Sequence, residues 1–248
     1  MGKLDGKRAL VTGGNTGIGR AICLAMAAEG ADVAVNYIAK EEMAESLVRG
    51  IQAKGRRAVA LKADVSDEGE VKGLVDGALR ALGPIDILVN NAGVQQPRPF
   101  LEMTAADWDR MMAVHMRGTF LMCRYVAPHM VARKSGRIIN MASQFAYNGR
   151  EHYAHYSAAK GGILVFTRIV AKELGPHGIT VNAVAPGYID TGFDPLPEET
   201  KRRMAEALPL RRLGRPDDVA PMFVFLASDD AGYLTGQTLS PCGGEIMF

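Results

Sequence analysis

The sequence predicts an α/β fold built on a parallel sheet, and two observations carry that prediction. Short β-branched apolar runs alternate with longer stretches of helical periodicity, and no linker or shift of composition interrupts the alternation. The first run, RALVT (8–12), is followed by a helical stretch over 17–29. VAVNY (33–37) leads to a helix over 40–54, AVALK (58–62) to one over 67–82, and ILVNN (87–91) to a long apolar stretch over about 104–132. RIINMAS (137–143) precedes a helix over 153–175. TVNAVAP (180–186) precedes shorter helices at 198–207 and 216–227, and QTLS (237–240) supplies a last strand. Strands separated by helices of this length make βαβ units, whose crossovers cover both faces of a parallel sheet. The chain reads as one domain over 1–248, without a repeat of fixed period.

Composition narrows the function classes. With 48% hydrophobic residues the 248-residue chain can bury a large core. Lys+Arg 29 against Asp+Glu 27 leaves a formal net charge of +2, with no long run of like charges, so nucleic acid is not an expected partner. Cys23, Cys123 and Cys242 are odd in number and form no CxxC pair, which argues against a disulfide framework or a zinc site and suits a reducing cytoplasm. The first apolar run begins within eight residues, leaving no room for a signal peptide, and Gly6 stands where a myristoylation signal wants Ser or Thr. No apolar stretch approaches the ~18 residues of a membrane span. A soluble, cytoplasmic protein without membrane attachment is expected.

TGGNTGIGR (12–20) lies between the first strand and the first helix. Gly13, Gly17 and Gly19 lack Cβ atoms, so the chain can turn tightly, admit a pyrophosphate to backbone N–H groups, and pack helix on strand. Glycines also serve ordinary turns, but the strand before and the apolar helix after favour dinucleotide binding. Three residues separate Gly13 from Gly17, where the commonest dinucleotide pattern has one. That spacing, with NNAG at 90–93, Ser143, Tyr156-x-x-x-Lys160 and Pro186-Gly187, resembles the short-chain dehydrogenase/reductase family over essentially the whole chain.

The resemblance implies a single Rossmann-like, doubly wound domain with a seven-stranded parallel sheet, hydride transfer to or from a nicotinamide, and a homotetramer. It assigns to the cofactor Gly13, Asn15, Thr16, Gly17, Ile18 and Gly19 of the turn, and Asn36 and Tyr37 after the second strand. It adds Asp64 and Val65, with Asp64 at the adenine, then Asn91, Ala92 and Gly93, and Pro186, Gly187, Ile189 and Thr191 toward the nicotinamide. Tyr156 and Lys160 complete the set, Lys160 on the ribose hydroxyls.

EHYAHYSAAK (151–160) crowds two tyrosines, two histidines and a lysine together. Tyr156 and Lys160, four apart on a helix, share one face, whereas Tyr153 has Ser157 and not a lysine four residues on. A phenol with an ordinary pKa of about 10 exchanges protons poorly at neutral pH. An ammonium about 4 Å away at an effective dielectric near 20 contributes on the order of 4 kcal/mol, enough to lower that pKa by up to roughly three. Tyr156 is therefore expected as general acid/base, and by resemblance Ser143 hydrogen-bonds the substrate oxygen. The family usually has asparagine, holding a relay water, where this chain has His115. Histidine can donate and accept, but it is bulkier and can charge near neutral pH. His152 and His155 beside Glu151 lack a third ligand of suitable spacing, so no metal is expected.

Relatives that prefer NAD commonly carry an acidic residue about where Tyr37 stands. Its absence favours NADP, although neither Thr16 nor Ile38 is the arginine often found in NADP-preferring relatives, and NAD stays an alternative. Lys40 is a candidate for the 2′-phosphate. The proline- and charge-rich segment 188–216, with Phe193 as an aromatic, is the expected substrate lid. NAGVQQP and the His155-Tyr156 pair look like sugar and polyol dehydrogenases, favouring a small ketone, sugar or polyol as the carbonyl/alcohol substrate. VNYIAKEE, GRIINMAS and LTGQTLSPCGG instead look like 3-oxoacyl-carrier-protein reductases, with Lys134 and Lys172 as candidate carrier contacts. A non-catalytic NADP(H) sensor is a third alternative. Apolar residues such as Met111, Met112, Met116, Phe120, Met122, Ile163, Leu164, Phe166 and Ile169 exceed what one sheet face needs, which points to a homo-oligomer, with the C-terminal GGEIMF near a subunit contact.

Overall fold

The structure is a computed structural model describing residues 2–192 and 197–247. The strands are β1 (Arg8–Val11), β2 (Asp32–Tyr37), β3 (Ala58–Lys62), β4 (Ile87–Asn90), β5 (Gly136–Met141), β6 (Ile179–Val184) and β7 (Thr238–Leu239). They form one parallel sheet in the order β3-β2-β1-β4-β5-β6-β7, the seven-stranded, doubly wound domain that the resemblance implied. The order reverses between β1 and β4, and at such a switch point the chain leaves the sheet in opposite directions and opens a crevice at the carboxyl ends.

Neighbouring residues on each strand face opposite layers. Val11, Val89 and Ile139 join one core with Ile22, Met26 and Phe223 from helices α1 (Gly17–Ala28) and α9 (Pro216–Ala227) and Leu47 from α2 (Glu41–Gln52). Leu10, Leu88 and Ile138 join the other, with Val71 and Val75 from α3 (Glu68–Leu82), Leu121 and Met122 from α5 (Gly118–Arg133) and Ala171 from α7 (Ala154–Leu174). A helix α8 (Glu198–Ala207) carries no buried residue.

The long helix expected over 104–132 runs without a break, but it carries a π-helical turn. It runs as α4 (Ala105–Met112), a π-helical turn (Ala113–Arg117) and then α5. The apolar pattern survives across a π turn, so periodicity alone does not reveal it. A short helix, α6 (Phe145–Asn148), follows β5 and was not foreseen, because four residues are too few to show a period. Of the apolar residues on the long helices, Met111, Met122, Ile163 and Leu164 are buried, while Phe120, Val165 and Ile169 stand exposed.

A buried polar ladder ties the sheet to α7. Asn90 Nδ2 donates to Asn140 Oδ1 at 2.8 Å, and Asn140 Nδ2 donates to Thr167 Oγ1 at 2.9 Å. Asn140→Ala leaves Thr167 Oγ1 without that partner and Asn90 Nδ2 with only Cys123 Sγ at 3.3 Å, at roughly 1–3 kcal/mol for an unpaired buried group. Urea denaturation is expected to show that loss as a lower midpoint with unchanged slope.

Candidate functional site

The glycine turn is held by side chains on both flanking strands. Thr12 Oγ1 accepts from Asn91 N at 2.9 Å and Ala92 N at 3.0 Å, and Asn91 Nδ2 donates to Thr12 O and Gly13 O, each at 2.9 Å. Asn36 Oδ1 accepts from Gly13 N at 3.2 Å, and Asn15 Nδ2 donates to Ala39 O at 2.8 Å. Gly13 and Gly17 have φ of +58° and +50°, the left-handed region that glycine adopts without strain. A Cβ on Gly19 would lie 2.1 Å from Gly13 O, so helix and turn touch backbone to backbone. The Thr16 side chain makes no cap hydrogen bond, leaving the first N–H groups of α1 available to an anion. A cradle that Cβ atoms would fill, opening on a helix N-terminus, fits a dinucleotide pyrophosphate.

The other expected cofactor residues gather around this cradle. Thr191 lies 3.5 Å from where a Gly17 Cβ would be. Pro186 and Gly187 are fixed by Gln144 N donating to Pro186 O at 3.0 Å and Gly187 N donating to Pro241 O at 3.1 Å. Ile18 and Ile189 pack against the first core, and Val65 is buried against Gly118. Asp64 Oδ1 accepts from Ser66 N and Oγ, which sets its carboxylate at the end of β3. The Tyr37 hydroxyl donates to Glu41 Oε1 at 2.8 Å, so an acidic group does stand at the end of β2, supplied by the first turn of α2 and missed when only position 37 was read. Lys40 caps α2 in a left-handed conformation.

At the other end of the crevice Ser143, two residues beyond β5, accepts from Phe145 N at 3.2 Å and lies at the Tyr156 phenol. The buried Lys160 donates from Nζ to Met141 O at 2.6 Å and sits 5.6 Å from the centre of the Tyr156 ring. Burial pushes the Tyr156 phenol up to about 12, against the opposing hydrogen bond from Ser143. Burial alone draws Lys160 down to about 7. This corrects the expectation that Lys160 lowers the Tyr156 pKa: desolvation wins at both groups because neither has an opposite charge to offset it.

His115 lies on the π turn, buried, its ring edge-on to Tyr156 at 5.2 Å. Its Nε2 meets the Val94 backbone, 2.9 Å from O and 3.2 Å from N, and its Nδ1 is buried without a partner among the described residues. A Cβ on Gly93 would come within 2.5 Å of His115 Cε1, so the bulkier ring uses the space that a glycine leaves. Burial, assisted by the Lys160 charge, lowers His115 to about 3. The expectation that it could charge near neutral pH is therefore corrected.

His152 and His155 do not converge: His152 is exposed with φ +67°, whereas His155 is buried and accepts from Tyr156 N at 2.9 Å through Nδ1. Among the described residues no three His, Cys, Asp or Glu side chains gather in a way that could hold a metal. Lys134 and Lys172 are exposed, Lys134 at the end of α5 and Lys172 near the end of α7. Phe193 lies outside the described residues. No helix among them is long and apolar enough to cross a membrane.

An aromatic wall around Tyr156 escaped the motif-based reading. Phe145 of α6 packs 5.6 Å from Tyr153, 6.0 Å from Tyr156 and 5.9 Å from Tyr188, with Arg150 over two of the rings. Only EHYAHYSAAK, with its paired tyrosines, hinted at it.

A dinucleotide cradle that opens onto a buried hydroxyl pair and a lysine is the arrangement of a nicotinamide-dependent oxidoreductase. Comparison with known proteins makes the class specific. Residues 13–245 match the family described as enoyl-(acyl carrier protein) reductase. The chain is 42% identical to the 3-oxoacyl-[acyl-carrier-protein] reductase FabG of Staphylococcus aureus, covering 97% of this chain and 98% of that one. It is also 42% identical to the (2S)-[(R)-hydroxy(phenyl)methyl]succinyl-CoA dehydrogenase subunit BbsD of Thauera aromatica, over 99% and 98%. Among solved structures, a blue fluorescent protein from a metagenomic library in complex with NADPH superposes with a TM-score of 0.92 at 40% identity, covering 99% of this chain and all of that one. The chain belongs to the short-chain dehydrogenase/reductase family and is an NAD(P)-dependent oxidoreductase acting on CH–OH groups.

The low pKa of His115 has a measurable consequence. The unfolded chain takes up a proton at this side chain below its ordinary 6.5, and the folded chain does so only near 3. The contribution of neutral His115 to stability is complete above 6.5 and is lost as pH falls toward 3. Between about pH 7 and pH 5 the melting temperature is therefore expected to fall faster in the wild type than in His115→Asn. A difference between the two that does not change with pH would mean that His115 ionises freely.

Proposed function

We propose that the chain reduces a ketone carried on an acyl chain, with NADPH as preferred reductant and Tyr156 as proton donor. The observation that carries this reading is the partly buried Tyr156 phenol lying at Ser143, with Lys160 Nζ 5.6 Å from the centre of its ring. The phenol carries its proton at neutral pH, so in the reductive direction it acts as the donor. Bound with its pyrophosphate on the glycine turn, the nicotinamide supplies the hydride. Ser143 hydrogen-bonds the carbonyl oxygen and orients it, and Tyr156 gives that oxygen its proton. Lys160 takes the ribose hydroxyls and, in its charged form, stabilises the phenolate left behind. His115, neutral and edge-on to Tyr156, stands in for the usual relay asparagine.

The substrate class is supported by the wall of Phe145, Tyr153 and Tyr188, which suits an apolar substituent beside the carbonyl. The relatives reported above are named for acyl-carrier and CoA-linked substrates, the second of them with a phenyl group. No comparable support attaches to a sugar or polyol. A non-catalytic sensor is disfavoured, because Ser143, Tyr156 and Lys160 are all retained. The NADPH-bound relative supports NADP, whereas Glu41 at the Tyr37 hydroxyl leaves room for NAD. Segment 188–216 serves as the substrate lid, its ends tied by Asp190 N donating to Gly214 O at 2.8 Å and Gly214 N donating to Tyr188 O at 2.9 Å. The exposed Phe120, Val165 and Ile169 support burial in a homotetramer, and the three free, buried cysteines suit a reducing cytoplasm.

Tyr156→Phe removes only the phenolic proton. Turnover with NADPH is expected to fall about 10²–10⁴-fold, while fluorescence titration shows NADPH binding essentially unchanged. Unchanged turnover would remove Tyr156 from the mechanism. In the same titration NADPH is expected to bind more tightly than NADH, and the reverse order would assign the ribose site to Glu41.

A further inference from the structure

We infer that Arg150 is a specificity-determining residue, selecting ketones that carry a carboxylate on the arm away from the nicotinamide. The inference rests on the reductase reading above and adds a substrate feature to it. Arg150 sits at the outer end of the aromatic wall. Its guanidinium lies 5.2 Å from the centre of the Tyr188 ring and 5.7 Å from that of Phe145, and it donates to the Tyr188 hydroxyl. Phe145 in turn packs 6.0 Å from Tyr156, so one ring separates the cation from the proton donor. Arg150 is exposed, whereas Phe145 is buried and Tyr153, Tyr156 and Tyr188 are partly buried. The charge thus stands exposed beside a set of buried and partly buried rings.

Other basic residues near the cleft are already engaged. Arg98 faces Asp107 at 3.8 Å, and Lys201 binds Asp190 at 2.9 Å. Among the described residues no carboxylate pairs with Arg150. Stacking on two rings and the bond to Tyr188 hold the guanidinium in place, and its remaining N–H donors have no carboxylate partner among the described residues. A planar fork held in this way matches a carboxylate bidentately, where an ammonium would act only as a point charge. A substrate that lays an apolar or aryl group against Phe145 and Tyr153 and presents its ketone to Tyr156 would extend an acidic arm to Arg150.

Benzoylpropionate, an aryl ketone with a carboxylate, and its methyl ester test this directly. With NADPH, kcat/KM for the acid is expected to exceed that for the ester by at least about tenfold. In Arg150→Ala the two are expected to come within about twofold, through a higher KM for the acid. Arg150→Lys is expected to restore only part of the preference, and Arg150→Gln guards against a folding defect in the alanine variant. Calorimetric titration of the NADP complex with acid and ester reads the same selectivity without turnover. Acid selectivity in binding without turnover would support Arg150 and sink the reductase reading. Turnover without acid preference, a preference that survives in Arg150→Ala, or no measurable binding of the acid would overturn the role of Arg150.

Discussion

Everything in the crevice depends on the exchange of hydrogen bonds between Thr12 and Asn91. The carboxyl ends of β1 and β4 diverge at the switch point, so nothing in the sheet itself fixes the chain beyond them. Thr12 accepts from two successive backbone N–H groups of the β4 loop, and Asn91 returns two bonds to carbonyls of the glycine turn. The turn and the loop after β4 are thereby one rigid object. Gly19 can approach Gly13 only because neither carries a side chain, and Gly93 follows Asn91 at the one position where His115 leaves no room for a Cβ. A single polar exchange therefore sets the cradle on one side and the depth of the His115 ring, and with it the Tyr156 pocket, on the other.

That pocket is organised by exclusion of water more than by attraction between charges. Lys160 is drawn to about 7, Tyr156 to about 12 and His115 to about 3, and desolvation leads the causes in all three. Each shift favours the uncharged form, as expected where no opposite charge enters the cluster. A Coulomb term from Lys160 to the phenol operates only to the extent that Lys160 is charged, and its own burial reduces that extent near neutral pH. The phenol is left protonated, Lys160 is poised to change charge within the working range, and His115 is locked neutral. In the proposed mechanism such a set holds a proton in readiness and moves it as negative charge develops on the carbonyl oxygen.

The sequence made the framework legible because period and punctuation are local properties. Alternating β-branched runs and apolar helices located all seven strands to within two residues at each end, and the glycine turn marked the crevice. Tyr156 and Lys160 were candidates from their spacing on one helix, and Ser143, two residues beyond β5, was a candidate from the resemblance. The π turn was hidden, since one extra residue in a turn leaves the apolar pattern intact while redirecting His115. Glu41 was hidden because the position after β2 was read one residue at a time, whereas the Tyr37 hydroxyl reaches a helical turn further. The ionisation states were illegible for a different reason: sequence gives neighbours along the chain, and burial is set by neighbours across it.

The least legible feature, the aromatic wall, is also the one on which the proposed choice of substrate rests. Proton transfer is proposed for residues on α7 and just beyond β5, elements whose positions the whole core determines. Phe145, Arg150, Tyr153 and Tyr188 come instead from a one-turn helix and from connecting segments, joined by ring contacts, the Arg150–Tyr188 hydrogen bond and the donation of Tyr153 N to Arg150 O. Substituting them leaves the sheet register and the Thr12–Asn91 exchange untouched, so this wall can change while the machinery behind it stays fixed. Family membership therefore defines the chemistry of the site, and the identity of its substrate has to be sought in the few side chains that the family pattern does not constrain.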